Sequence, residues 1–244
     1  MRYFKKTLGY ILLLFFMALT TSCSGLHRHT VNSILPKESF VKVEAMIDIK
    51  KCEENLCMEV NQLASHSSGF VVKRSVFGAY VITAGHSCEE NDLINDAEAN
   101  GYKASLNLKI IDIDLKRYDA VVKKIDKKND ICIVFVNKLK RPAIRLNGDQ
   151  PKYGEKVYNL AAPVGIFDKH MIPVLEGRYS GRSKFEVEIS VYTVPAIGGA
   201  SGSPIINKKG RLVGMIHSVH RRFPFVSFSP TSEILNDFIE DNTN

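Results

Sequence analysis

The sequence predicts an all-β fold, either a barrel or a sandwich. Apolar residues recur in many short runs that alternate with polar residues or are rich in β-branched side chains, and few stretches have helical spacing. Gly, Pro, Asn and Asp separate these runs, as turns between strands require. The chain has 244 residues, of which 45% are hydrophobic and 24% charged, and this composition suits one or two globular domains.

The predicted strands follow one another from Glu38 onward. Phe40–Ile49 and Leu106–Leu115 alternate apolar and polar residues, so each is expected to bury one face. The other predicted strands are shorter apolar runs: Gly69–Val72, Tyr80–Thr83, Ala120–Ile125, Ile131–Val136, Val157–Ala161, Phe185–Thr193 and Leu212–Ser218. The polar stretch Glu89–Gly101 is expected to be a surface loop or a short helix.

One longer helix is predicted at the C-terminus, over about residues 230–240. Pro230 is expected to be its first residue and Ser229 its N-cap, because proline suits the first helical position and serine caps well. A single apolar stripe would then face the core, formed by Ile234, Leu235, Phe238 and Ile239.

The N-terminal stretch Met1–Ser22 predicts an export signal, because three basic residues precede the apolar run Leu8–Leu19 and small residues follow it. This run is shorter than the roughly 20 residues of a membrane span. Leu19–Cys23 resembles the lipobox of bacterial lipoproteins, although Thr20 stands where leucine is usual. The resemblance implies lipidation of Cys23, a tether over residues 23–36 and a place in the cell envelope. A soluble secreted product and an uncleaved anchor are the alternatives.

The formal charge of +7 does not indicate a nucleic-acid partner. Removal of the signal takes away three basic residues, leaving 30 basic and 26 acidic residues, a net charge of +4 that is scattered along the chain. The basic cluster Lys208–Arg211 is interpreted as a solvated hairpin tip.

A serine nucleophile is suggested by Gly198–Pro204, where Ser201 lies among small residues between two strand-like runs. Glycines allow the backbone to approach a substrate closely, and main-chain N–H groups beside a serine can hold an oxyanion. The candidate base is His86, at the end of a buried strand in a small-residue turn. The candidate carboxylate is Asp130, at the start of an apolar strand, with Asp112, Asp114, Asp119 and Asp126 as competitors.

Four cysteines remain besides Cys23, an even number that permits disulfides in an exported chain. Cys52 and Cys57 flank a short polar stretch and could staple a hairpin. Cys88 and Cys132 each follow a candidate catalytic residue by two positions, so they form either a second bridge or two buried thiols. Metal-ligand spacing is lacking, and no cofactor is expected.

These settings resemble the trypsin-like serine peptidases of the chymotrypsin fold, with the closest likeness to the HtrA-type and glutamyl endopeptidase branches. The residues that carry the resemblance, in the family's order, are Ser68–Val72, Val81–His86, Asn129–Val134, Ala196–Pro204 and Gly210–Ile216. The likeness implies two six-stranded antiparallel barrels, over about residues 37–140 and 141–230, followed by the helix. It also implies a serine endopeptidase acting on proteins or peptides.

The resemblance further implies the role of each residue. Ser201 would attack the scissile carbonyl, His86 would act as general base and acid, and Asp130 would hold the His86 tautomer. The N–H groups of Gly199 and Ser201 would form the oxyanion hole. Because His86 must be neutral to act as a base, activity is expected to rise through roughly pH 6–7.

Two departures bear on activation and specificity. Ala200 stands where the zymogen-activated branch has an aspartate, so activation by propeptide cleavage is not expected. Pro195 stands where trypsin has its pocket aspartate, so a preference for Lys or Arg is not expected. His217 falls one place beyond the ligand histidine of glutamyl endopeptidases. A shift of one residue in a strand points the side chain to the opposite face, so His217 is expected near Asp130 or toward solvent. The expected substrate-binding residues are Pro195, Ala196, Ile216, His217 and Ser218, with a small or aliphatic residue before the cleaved bond.

The alternative to an enzyme is a protease-fold lipoprotein that has lost catalysis and binds a partner. An intact Ser, His and Asp in matching contexts argues against that alternative. An α/β-hydrolase is also disfavoured, because its acid and histidine follow the nucleophile, whereas both candidates here precede Ser201.

Overall fold

The computed structural model describes residues 35–53, 56–89, 91–147, 150–184 and 187–243, and most of their regular structure is β-strand. The first six strands are β1 (Phe40–Glu53), β2 (Leu56–Arg74), β3 (Gly78–Ala84), β4 (Lys103–Ile111), β5 (Arg117–Asp126) and β6 (Ile131–Asn137). The other eight are β7 (Arg145–Leu146), β8 (Lys156–Leu160), β9 (Val174–Lys184), β10 (Glu188–Tyr192), β11 (Pro204–Asn207), β12 (Arg211–Met215), β13 (Ser218–Val219) and β14 (Ser227–Pro230). The predicted signal, Cys23 and the tether up to residue 34 lie outside the described residues.

The first six strands form a closed antiparallel barrel in the order β1-β2-β3-β6-β5-β4. The apolar run of β6 shows why the sequence alternates so little there. Cys132, Val134 and Val136 point into the barrel, while Ile131 and Ile133 point outward into a second core cluster. Because both faces of β6 are buried, the strand is apolar throughout.

The strands from β7 onward form one eight-stranded sheet in the order β13-β14-β10-β9-β8-β11-β12-β7. The expectation of a second six-stranded barrel is not met among the described residues. The sheet has eight strands, β12 and β7 pair in parallel, and no pairing joins the end strands β13 and β7. These end strands have only two residues each, too few to carry a closing ladder.

Several predicted strands differ in extent from the observed ones. Gly69–Val72 is the inner end of the 19-residue β2, which pairs with the 14-residue β1 in a long hairpin. The predicted strand Leu106–Leu115 ends at Ile111 in the structure, and Leu115 lies in the turn that follows. β9 was not predicted at all, because its sequence is polar and contains two glycines. A disulfide joins Cys52 to Cys57, which are cross-strand partners near the tip of the β1–β2 hairpin.

Two α-helices are described, α1 (Asn91–Ala99) and α2 (Ser232–Thr243). α2 begins two residues later than expected, because Pro230 is the last residue of β14 and pairs with Ile189. The N-cap is therefore Thr231, whose Oγ1 accepts the Ile234 N–H at 3.3 Å, rather than Ser229. Leu235 and Ile239 are buried in the cluster shared by both sheets. No helix in the described ranges is both long and apolar enough to cross a membrane.

Candidate functional site

The site begins where β3 ends at Ala84 and the chain turns through a 3₁₀ segment, Gly85–Cys88. His86 lies in this turn, beyond the end of the barrel strand, and its side chain is 53% exposed. Gly85 lies against Asp130: it donates its N–H to the Asp130 carbonyl at 2.9 Å, and a Cβ on Gly85 would stand 2.8 Å from Asp130 Oδ1. Only glycine therefore allows this approach without displacing the carboxylate.

Asp130 holds His86 through both carboxylate oxygens. Oδ1 accepts the His86 backbone N–H at 2.7 Å, and Oδ2 lies 2.8 Å from His86 Nδ1. The Asp130 backbone has a φ of +53°, a left-handed conformation that aspartate tolerates better than most residues. This two-point contact fixes both the position of the loop and the plane of the imidazole.

The competing carboxylates bind elsewhere. Asp112 and Asp114 both bind Arg141, and the hydrogen bond from Arg141 is the largest effect that holds the pKa of Asp114 below its usual value. Asp119 pairs with Lys109. Asp126 accepts the N–H groups of the turn that leads to β6. Asp130 is thus the carboxylate that the fold brings to His86.

A second disulfide ties the two halves of this pair together. Cys88 and Cys132 are bonded, across a sequence separation of 44 residues, and both are buried. Cys88 follows His86 by two residues and Cys132 follows Asp130 by two, so the bridge fastens the histidine turn to the strand that starts at the aspartate.

The loop that carries Ser201 packs directly against this part of the barrel. The Ser201 carbonyl accepts the Ser68 N–H at 2.8 Å. At Gly202, with a φ of +80°, a Cβ would stand 2.2 Å from the Ser68 carbonyl oxygen and 2.8 Å from the Ala84 nitrogen. Ala84 precedes His86 by two residues, so the glycine after Ser201 brings the two loops together.

Three backbone N–H groups in this loop, those of Gly198, Gly199 and Ser201, donate to no group in the described part of the chain. The N–H groups of Ala200, Gly202 and Ser203 each donate to a carbonyl. The N–H groups nearest the Ser201 side chain that remain available are therefore those of Gly199 and Ser201. The carbonyl of Gly198 accepts the Val164 N–H at 2.7 Å, so the N–H across that trans peptide points the other way. Two available donors beside a serine hydroxyl are suited to bind an oxyanion.

Ser68 is a supporting residue whose role the sequence did not suggest. Its Oγ donates to the Gly199 carbonyl at 2.7 Å and accepts the Ala162 N–H at 2.9 Å. The hydroxyl therefore joins the loop of Gly199 to the end of β8, and it is fully buried. The Ser68-Gly69 motif was noticed as part of the family pattern, but a contact 131 residues away in sequence leaves no local signal.

His66 lies within β2. Its ring lies beside the loop that carries Ser201: positions for a Cβ on Gly199 and on Gly165 would stand 3.1 and 3.2 Å from His66 Cδ2 and Nε2. The alternation of β2 is too weak in sequence to reveal this placement.

The predicted substrate-binding residues differ in how far they are accessible. Pro195, His217 and Ser218 are half-buried, while Ala196 is 5% exposed. The Ile216 side chain is only 1% exposed and packs in the core of the second sheet, so it offers no side-chain surface to a substrate. Ile216 and His217 lie between β12 and β13, where the first is buried and the second half-buried.

An aromatic turn lies beside these residues. Ala196 donates its N–H to the Pro224 carbonyl at 2.9 Å, and the exposed rings of Phe223 and Phe225 stand with their centroids 5.5 Å apart. These two rings lie in the same turn as the exposed Arg221 and Arg222, so this part of the surface is both aromatic and basic. Within the described ranges, no group of three or more His, Cys, Asp or Glu side chains could hold a metal ion.

The sequence matches a known protein family. A family model described as a trypsin-like peptidase domain matches residues 67–215, more than half of the chain. No curated protein matches the sequence.

Among solved structures, the chain is similar to the Rv3671c protease from M. tuberculosis in its active form, with a TM-score of 0.65 and 18% identity over 90% of this chain and 87% of that chain. The inactive form of that protease matches with a TM-score of 0.63 and 17% sequence identity, over 91% of this chain and 96% of that chain. A serine endoprotease from Yersinia pestis matches with a TM-score of 0.62 and 17% sequence identity, over 86% of this chain and 64% of that chain. At these identities the structural likeness establishes the fold.

Proposed function

Because the chain belongs to the trypsin-like peptidase domain family and is a serine peptidase, we propose that it is an endopeptidase whose catalytic triad is Ser201, His86 and Asp130. The observation that carries the proposal is the pair of N–H groups on Gly199 and Ser201, which have no acceptor in the described ranges, in a loop that packs against the end of the strand leading to an imidazole held by a carboxylate. This set of groups provides a nucleophile, a base with a fixed tautomer and an oxyanion site.

The chemistry follows from which atoms are already occupied. Asp130 Oδ2 engages His86 Nδ1, which leaves Nε2 as the nitrogen that takes the proton from Ser201 Oγ. The hydroxyl oxygen attacks the scissile carbonyl, and the negative charge that develops on the carbonyl oxygen is bound by the N–H groups of Gly199 and Ser201. His86 then delivers the proton to the leaving amine, and the acyl group stays on Ser201.

Hydrolysis of the acyl-enzyme repeats these steps with water. His86 Nε2 removes a proton from the water, the oxygen attacks the ester carbonyl, and the same two N–H groups bind the oxyanion. Ser201 Oγ leaves and regains a proton from His86, which restores the enzyme. Each oxyanion donor is worth about 3–4 kcal/mol in the transition state.

Cleavage is proposed after small or aliphatic residues. Pro195 provides no carboxylate for a basic side chain, and the exposed rings of Phe223 and Phe225 add apolar surface nearby. Profiling of the purified enzyme with a peptide library is expected to show Ala, Val or Leu at the position before the cleaved bond. Strong preference for Glu, Lys or Arg at that position would contradict the proposal.

Export and lipid anchoring are proposed on the sequence alone. The basic start, the apolar run Leu8–Leu19 and the lipobox-like ending at Cys23 support a mature chain attached to the cell envelope. Ala200 further supports an enzyme that is active without propeptide cleavage. In a bacterial host, incorporation of an alkyne fatty acid should be lost in Cys23→Ser, and equal incorporation in that variant would exclude lipidation at this residue.

A fluorophosphonate probe tests the triad, because it reacts only with an activated serine. The mature domain is expected to be labelled and Ser201→Ala is not. Ser105→Ala is the matched control: Ser105 is exposed on β4, outside the site, so this variant should be labelled as fast as wild type. A folded wild-type protein that is not labelled, or a labelled Ser201→Ala, would refute the assignment, and the first result would favour the binding-protein alternative.

A further inference from the structure

Two imidazoles face one carboxylate oxygen. Asp130 Oδ2 lies 2.8 Å from His86 Nδ1 and 4.0 Å from His217 Nδ1. The His86 side chain is 53% exposed, as a group that meets substrate must be, but the His217 side chain is only 17% exposed. His217 therefore covers the carboxylate rather than reaching toward a substrate.

The backbone fixes His217 in this place. The preceding residue, Ile216, is hydrogen-bonded to the loop of the nucleophile in both directions: its carbonyl accepts the Gly202 N–H at 2.6 Å, and its N–H donates to the Ser203 carbonyl at 3.0 Å. The His217 N–H itself donates to the Phe228 carbonyl on β14 at 3.1 Å. With the main chain held on both sides, the imidazole has little freedom to leave Asp130.

Burial favours the neutral form of the His217 imidazole. Burial lowers the pKa of His217, and this effect exceeds the opposing one of Asp130, which raises it, while His86 lowers it further. These two are the titratable groups that act on His217. A neutral imidazole carries one N–H, so it can direct a donor at a carboxylate without adding a charge that would compete with His86.

We propose that His217 is a positioning residue for Asp130: with its proton on Nδ1, it directs an N–H dipole at Oδ2 and limits the access of water to a carboxylate whose side chain is 27% exposed. Asp130 is then held in the plane that suits His86 and is only partly solvated. The interaction of a carboxylate with an imidazolium is stronger where water is excluded, so the effect is greatest when His86 takes the proton from Ser201.

This role rests on the proposed triad and predicts a particular pattern of kinetics. Without the imidazole, more water reaches Asp130, and the carboxylate stabilises the His86 imidazolium less. We therefore expect His217→Ala to lower kcat by up to about 10-fold, because at 4.0 Å the imidazole acts as a dipole and as a cover against water rather than through a hydrogen bond. KM should be nearly unchanged, because His217 does not bind substrate. The acid limb of the kcat/KM profile should move to lower pH, because a less stabilised imidazolium loses its proton more readily.

Two variants of His217 test whether the imidazole acts as an N–H donor at Nδ1 or only fills space beside Asp130. Asparagine can place its amide nitrogen near the position of Nδ1, whereas glutamine places it nearer to Nε2. His217→Asn is expected to keep kcat and the acid limb near those of wild type, and His217→Gln to behave like His217→Ala. The Asn and Gln pair also serves if the alanine variant does not fold.

The experiment measures kcat, KM and the acid limb for wild type and the three variants, with thermal unfolding to check that each is folded. A lower kcat in His217→Ala and His217→Gln, together with a kcat near that of wild type in His217→Asn, supports the proposal. Equal kcat in all four proteins, equal loss in Asn and Gln, or a change confined to KM would each overturn it. Fluorophosphonate labelling that depends on Ser201 distinguishes these failures from a failure of the triad, since the triad could stand while the role of His217 does not.

Discussion

Replacement of Gly199 by alanine tests the oxyanion site most directly. Gly199 has a φ of +92°, and a Cβ there would stand 2.4 Å from the Ala162 carbonyl oxygen and 2.9 Å from the Val164 nitrogen. Ordinary contacts begin at 3.4 Å, so the loop must move by about 1 Å. The left-handed backbone adds about 1–2 kcal/mol of strain for a residue with a side chain.

The movement carries the N–H of Gly199 away from the oxyanion. Donors in such sites work at about 2.7–3.1 Å, and the loss of one lowers kcat about 100- to 1,000-fold. We expect a loss of this size in Gly199→Ala, with a smaller change in KM, because a donor aimed at developing charge stabilises the transition state more than the ground state.

Gly198 provides the matched control in the same loop. No atom lies within 4 Å of a Cβ on Gly198, and its φ is not in the left-handed region. Gly198→Ala should therefore keep kcat within about threefold of wild type, as open surface substitutions usually do. The assay is steady-state hydrolysis of one peptide substrate, with thermal unfolding of both variants. If Gly199→Ala retained more than a tenth of the wild-type kcat, or if both variants lost activity equally, the assignment of this N–H would be wrong.

The other predictions concern the carboxylate and the disulfides. Asp130→Asn should leave the unfolding temperature nearly unchanged but lower kcat by about 10⁴-fold, because an amide favours the wrong tautomer of the histidine, and near-normal turnover would mean that another carboxylate acts. Removal of Cys88–Cys132 as a double alanine variant should lower the free energy of unfolding by about 4 kcal/mol and reduce kcat, because the bridge closes a loop with a separation of 44 residues. Removal of the Cys52–Cys57 disulfide, whose cysteines are 5 positions apart in sequence, should lower the free energy of unfolding by about 2 kcal/mol or less and leave kcat unchanged. Denaturant titrations that gave the same loss of stability for both double variants would contradict this reasoning.

Much of the first barrel could be predicted from local pattern. β6 was recognised because its run of apolar residues is buried on both faces, and β1 because of its alternation. The extent of β2 and the existence of β9 could not be predicted, since their residues are polar and their pairing comes from partner strands. The edges of the second sheet depend on β7 and β13, which at two residues each carry no periodic signal.

The candidate site divides in the same way. The settings of Ser201, His86 and Asp130 are local: a glycine-rich turn, the end of a buried strand and the start of another each have a recognisable pattern. The choice of Asp130 among five aspartates required the fold, because the contact with His86 joins residues 44 positions apart. The places of Ser68 and His66 beside Gly199 likewise depend on contacts that no short window of sequence contains.

The sequence by itself thus determined which residues lie at strand ends and in tight turns, because strand burial and glycine turns are set by neighbours along the chain. Only the tertiary structure decided which of these ends meet. It placed His217 Nδ1 4.0 Å from Asp130 Oδ2, buried the Ile216 side chain in the core and left the Gly199 N–H without an acceptor in the part of the chain that the structure describes. The physical reason is that each of these outcomes depends on the register and packing of strands distant in sequence.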